Sequence, residues 1–169
     1  TGSTEGGDAT LVGSPTYDST NQAFTLNSTS NYLSVPGTNL SNFSNGLTIL
    51  SKTNLGTTGN GSYLWARIFD FGNGSGSNNI LFARNGTTGN LSLEVYNGAS
   101  NAMSFTTTSG SAIVNNGYGY YAGSLTSAGM PAIYVNGSAV AAALGQGATG
   151  SGAIPHSPRY RAGLPHSLA

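Results

Sequence analysis

A chain of 169 residues is long enough to bury the core of one domain. Charged residues at 6%, zero net charge and no Cys exclude a nucleic-acid surface of clustered Lys and Arg, a disulfide framework and a thiolate metal site. Gly, Ser, Thr and Asn make up about half of the sequence, but 9 Tyr and 6 Phe set it apart from a disordered chain; helix formers in register are sparse, so the reading is all-β.

Thr1 to Asp8 is a Gly-rich lead-in. No charged and apolar leader precedes it, and the lack of an initiating Met reads as processing or trimming. Thr10 to Gly13 is a short strand ended by Ser14-Pro15. Ala23–Leu26 and Asn31–Val35 flank Asn27-Ser28-Thr29-Ser30, a spacing that predicts a hairpin between them, closed by Pro36-Gly37. Leu47–Leu50 is the next strand and stops at Ser51-Lys52.

Tyr63–Gly72 is the longest apolar run and holds the only Trp. As a strand it places Tyr63, Trp65, Arg67, Phe69 and Phe71 on one face and Leu64, Ala66, Ile68 and Asp70 on the other. Both faces are mainly apolar, so it is expected to be the central strand, with Trp65, Ile68, Phe69 and the later Tyr134 buried. After the Gly- and Asn-rich stretch to Asn79, Ile80–Arg84 and Leu91–Tyr96 form a hairpin with Leu91, Leu93 and Val95 facing one way and Ser92, Glu94 and Tyr96 the other, which is expected to be half-buried antiparallel sheet.

Asn101–Phe105, Ala112–Val114 and Tyr118–Leu125 continue the strand pattern, and Ile133–Val140 is a hairpin turning on Asn136-Gly137. Strands recurring at roughly 8–12 residues, with no helices between them, predict a sandwich or barrel and exclude a parallel α/β sheet. No run approaches the roughly 18 apolar residues of a membrane span. The strand period ends before Pro155, which gives one domain over residues 1–154 and an atypical tail over 155–169.

Three motifs share a single order along the chain: Phe24-Thr25-Leu26 followed by Tyr32-Leu33-Ser34-Val35-Pro36, then Arg67-Ile68-Phe69-Asp70-Phe71-Gly72, then Ile133-Tyr134-Val135-Asn136-Gly137. Together they resemble the laminin-G-like, concanavalin A-like lectin superfamily over about Phe24 to Val140. The resemblance implies an antiparallel two-sheet sandwich of the jelly-roll kind. Three departures stand out: Leu50 runs into Ser51-Lys52-Thr53 where the family continues through a Trp, Tyr118–Tyr121 occupies the place of a second Trp, and the family's last strands are missing.

Relatives in this superfamily include glycan-binding lectins, adhesion modules and a glucanase branch. Glucanase chemistry needs two closely spaced carboxylates projecting from one strand face. The acids are Glu5, Asp8, Asp18, Asp70 and Glu94, and no two share a strand, so no catalytic residue is expected and the chain is not read as an enzyme. A Ser-His-Asp arrangement would have to recruit His156 or His166 from the tail.

No cofactor is required, while calcium is the one that the resemblance implies. Asp18 and Asn21 are its candidate ligands, against the alternative that Asp18 caps a turn and Asp70 holds an Arg or a backbone amide. Candidate ligand contacts are Trp65, which would stack on a sugar ring, Arg67 as a clamp, and the amides of Asn73, Asn78 and Asn79; the alternative places the aromatic residues in the core with Arg67 stacked among them.

The expected function is a non-catalytic recognition or adhesion module, extracellular or on a cell or virion surface, that binds glycan or another surface polymer. The alternative is a structural decoration or fibre subunit of such an assembly. Missing closing strands predict open sheet edges and a second copy or assembly neighbour covering the C-terminal side.

Overall fold

A computed structural model describes residues 9–28, 30–35, 45–56, 64–72, 78–110 and 112–145, and the backbone of 161–162. Among these residues there are fourteen strands and no helix, and every strand pairing is antiparallel.

The N-terminal segment is nested. β1 (Thr10–Val12) pairs with β4 (Tyr32–Ser34), and inside that pair β2 (Thr16–Asp18) pairs with β3 (Ala23–Thr25). The expected hairpin between Ala23–Leu26 and Asn31–Val35 is therefore not formed. Asp18 accepts hydrogen bonds from the backbone N–H of Thr20 (2.9 Å) and Asn21 (3.1 Å), which fixes a tight turn right after β2 and returns the chain onto β2 first.

β5 (Gly46–Asn54) passes through Ser51-Lys52 without stopping, because a partner of equal length, β10 (Tyr118–Thr126), pairs with it from Gly46 to Asn54. Backbone pairing carries the strand where side-chain propensity would end it. β10 in turn pairs with β11 (Pro131–Val135), and β11 with β12 (Ser138–Ala139), so the order of this four-stranded sheet is β12-β11-β10-β5. The β11–β12 turn forms as the sequence predicts: Asn136 and Gly137 both have positive φ, 50° and 83°, as a two-residue hairpin turn of this type requires.

The second large sheet is a meander of β6 (Arg67–Gly72), β7 (Ile80–Arg84), β8 (Leu91–Asn97) and β9 (Ser100–Thr107). β13 (Ala142–Leu144) extends it beside β9 and β14 (Arg161–Ala162) beside β6, giving six strands. Residues beyond Val140 thus do add to a sheet at both of its edges, although no strand was expected there.

The two sheets face each other across one core. Phe82, Leu91, Leu93, Val95 and Met103 from the six-stranded sheet meet Tyr121, Leu125 and Ile133 from the four-stranded one. A Cβ at Gly123 would lie 3.3 Å from the Phe82 ring, which shows how closely β10 approaches β7. Ala112–Val114 is not a strand; Ala112 and Ile113 plug the core from a loop held by Ile113 N–H to Gly89 O (3.0 Å).

The centre of the core is β7 and β8, with β6 beside them. Trp65 lies outside β6, in a turn with φ 53°, and Ile68 and Phe69 are only half-buried. Tyr134 is exposed. Sequence alternation placed Arg67 with Phe69 and Phe71; a β-bulge at Ile68 breaks that alternation, since Arg67 lies opposite Ala83 while Phe69 lies opposite Phe82. Arg67 and Asp70 consequently share the outer face, and Phe69 and Phe71 turn to the core.

Candidate functional site

Each large sheet has an outer face, and the two differ in chemistry. On the six-stranded sheet the register sets Asp70, Leu81, Glu94 and Ser104 in one cross-strand row and Arg67, Ala83, Ser92 and Thr106 in another. Arg67 Nε lies 3.4 Å from Asp70 Oδ2, and Asp70 Oδ1 accepts a hydrogen bond from Asn79 Nδ2 at 2.8 Å. Gly72 makes this possible, because a Cβ there would collide with the Asn79 side chain. Glu94, 5% exposed, accepts from Ser92 Oγ and from the Tyr96 hydroxyl, both at 2.9 Å. Desolvation, followed by the charge of Glu94, pushes the Tyr96 hydroxyl above its usual range.

This face therefore gathers three of the residues singled out from sequence. Arg67 is committed to Asp70, and its Nε and Nη1 are shielded from solvent and make no hydrogen bond among the described residues. Asn79 is buried beneath Gly72 and its carbonyl accepts from Tyr96 N–H at 2.8 Å. Asn78 caps the β8–β9 turn, accepting from Gly98 N–H at 2.8 Å. Trp65 stands apart, beside the β7–β8 turn, its backbone N–H donating to Gly86 O at 3.3 Å. Asn73 lies outside the described residues. The register also places Asp70 and Glu94 in the same row on either side of Leu81, two strand spacings or about 10 Å apart. Both carboxylates are held by internal partners.

Asp18 and Asn21 meet directly. Asn21 Nδ2 donates to Asp18 Oδ2 at 2.7 Å, and this bond, with the backbone N–H groups of the turn, holds the carboxyl below its usual pKa. The residues do not fit a calcium ion as they stand: the site has a single carboxylate, both of whose oxygens accept N–H donors, and Asn21 presents its amide nitrogen to it. Among the described residues no three Asp, Glu, His or Cys side chains come together.

The outer face of the four-stranded sheet is different. Leu50, Ala122 and Tyr134 form one cross-strand row and Lys52 and Tyr120 the next. Leu50 is 68% exposed, Tyr120 53% and Tyr134 37%, with the small Ala122 as a floor between Leu50 and Tyr134. Asn136 Oδ1 accepts from Tyr120 N–H at 2.9 Å, which fixes the β11–β12 turn against β10 beside this platform. Lys52 Nζ sits 5.0 Å from the centre of the Tyr118 ring and donates to Asn21 O at 3.1 Å. One row beyond Leu50, Thr48 and Ser124 lead into an open depression of about 400 Å³ formed by Asn45–Thr48 and Ser124–Ser127.

Sequence reasoning passed over this platform. The signal was present: in β5, Leu50 occupies the same alternating position as the polar Thr48, Lys52 and Asn54. No protein-family model matches the chain, and no match was found among curated proteins or solved structures.

Arg84 was also passed over. It points into the core from β7 and is fully buried, with Nε donating to Thr88 O (2.9 Å), Nη2 to Thr87 O and Nη1 to Leu55 O (3.4 Å). Desolvation lowers its pKa, yet three carbonyls satisfy it, and its role is to tie the β7–β8 turn to the end of β5.

Proposed function

We propose that the chain is a non-catalytic recognition module that binds a glycan or related surface polymer on the outer face of the four-stranded sheet, and that it works on an exterior surface. The observation that carries this reading is the exposed set Leu50, Tyr120 and Tyr134 around Ala122. Flat aromatic and aliphatic groups match the apolar face of a pyranose, while Thr48, Asn54 and Ser124 provide hydroxyl and amide partners along the rim. With Lys52 the sole charge on β5 and none on β10 or β11, the platform suits a neutral polysaccharide better than a sulfated one.

A concanavalin A-like jelly roll is the finer fold proposed. It is supported by the pairing of β5 with β10 although the whole β6–β9 meander lies between them in sequence. The non-catalytic reading is supported by the carboxylates: among the described residues Asp70 and Glu94 share a cross-strand row, and each is taken up by neighbours.

A polysaccharide array combined with a reducing-sugar assay tests the reading. Binding to neutral polymers without sugar release is expected, weakened at least tenfold, or about 1.4 kcal/mol, by Tyr120→Ala or Tyr134→Ala. Release of reducing ends would overturn the non-catalytic claim. No binding across the array transfers the weight to a structural role in an assembly, the reading that the open edge of β5 favours.

A further inference from the structure

β5 is the one long edge among the described strands. It has nine residues and a single neighbour, β10, whereas the other edge strands of the two large sheets, β12, β13 and β14, have two or three residues. Its inward-facing Leu47 and Ile49 stay half-buried while Leu125 and Ile133, in the same rows, are buried. Among the described residues the core is thus less covered along β5 than at β10 and β11, and an edge of this length is a template for another strand.

We propose that β5 is the interface through which two copies of this chain join, by antiparallel pairing of β5 with β5 about a two-fold axis at Leu50. Length is the first argument. The strands of the N-terminal pairs are three residues long and already have partners, so none of them spans a nine-residue edge, and a second β5 does. Register is the second. Leu50 is the middle residue of Gly46–Asn54, so pairing about it sets Leu50 against Leu50 and Thr48 against Lys52 on the outer face. The only charge on the strand then faces a hydroxyl and never its own copy. The third argument concerns Lys52, the side chain that would guard such an edge; it is drawn onto the outer face by Asn21 O and the Tyr118 ring. The dimer joins two four-stranded sheets into one of eight strands with the tyrosine platforms side by side. This inference goes beyond the glycan reading and does not depend on it.

The chain has no Cys, which gives a clean test. Directly opposed residues in an antiparallel pair have Cα atoms about 4.5–5.5 Å apart, within disulfide reach. The full chain carrying Leu50→Cys is compared under copper-catalysed oxidation with one carrying Tyr120→Cys, also an exposed position. Sedimentation velocity is run on the unmodified chain and on Leu50→Lys. The expected result is a concentration-dependent dimer for the unmodified chain, a monomer for Leu50→Lys, and cross-linking at least tenfold faster at position 50 than at 120. A monomer at every concentration up to the millimolar range, or equal cross-linking at the two positions, overturns the proposal. Failure of the polysaccharide array leaves these readouts unchanged, so the two ideas fall separately.

Discussion

The outer faces of the two sheets exchange the usual roles of polar and apolar side chains. On the six-stranded sheet, Glu94, Ser92 and Asn79 are buried and bonded to one another's neighbours, so that the polar groups are part of the packing. On the four-stranded sheet, Leu50, Tyr120 and Tyr134 stand in solvent. A buried polar group must be satisfied internally, and once satisfied it has little left for a ligand. An exposed cluster of large apolar groups has its interaction free energy still unspent. The surface to suspect is therefore the apolar one, although charge and amide groups are what draw the eye in a sequence.

Substitutions can break this contrast, and the largest effect is expected on the polar face. Glu94→Ala removes the buried carboxylate that accepts from the Ser92 and Tyr96 hydroxyls, leaving Ser92 only the Thr106 hydroxyl, and should cost about 3 kcal/mol in chemical denaturation. Gly72→Ala drives a methyl into Asn79 and should cost about 1–3 kcal/mol. If either variant is as stable as the parent, the face is not the packed layer described here.

Alkaline pH offers a smaller, graded test. Burial raises the pKa of Tyr121, whose oxygen accepts from Val114 N–H, and burial with Glu94 raises that of Tyr96. A folded pKa above the unfolded value of about 10 means stability that is complete below pH 10 and is lost as pH climbs past it. Denaturation midpoints measured from pH 8 to 11, with tyrosinate absorbance followed alongside, should fall only above pH 10. A drop that begins near neutrality would contradict the assignment.

The smallest stability effect is expected on the aromatic face. Tyr120→Ala and Tyr134→Ala should change stability by about 0.5 kcal/mol or less. A loss of several kcal/mol would mean that these side chains support the fold, and the contrast between the faces would collapse.

Much of the architecture was legible because alternation and turn chemistry act locally. Leu91, Leu93 and Val95 point inward as their spacing requires, and Asn136-Gly137 turns as its backbone demands. The misses have a common physical cause, which is pairing at a distance. β5 continues through Ser51-Lys52 because β10 is there, and β3 pairs with β2 because Asp18 closes a turn first. The bulge at Ile68 was hidden for a related reason: an extra residue leaves the composition of a strand unchanged while reversing which face Arg67 takes. Arg67, Asn78 and Asn79 were each singled out as ligand contacts, but the ion pair of Arg67 with Asp70, the bond of Asn79 to Asp70 and the bond of Asn78 to Gly98 N–H exist only in three dimensions.

The central claim is that ligand lies on the four-stranded face. Amide chemical-shift mapping of the full chain during titration with a neutral polysaccharide taken from the array tests it most directly. The account predicts the largest shifts at Leu50, Tyr120, Ala122 and Tyr134, with Asp70, Asn79 and Glu94 unmoved; shifts concentrated at Arg67, Asp70 and Asn79 would contradict it.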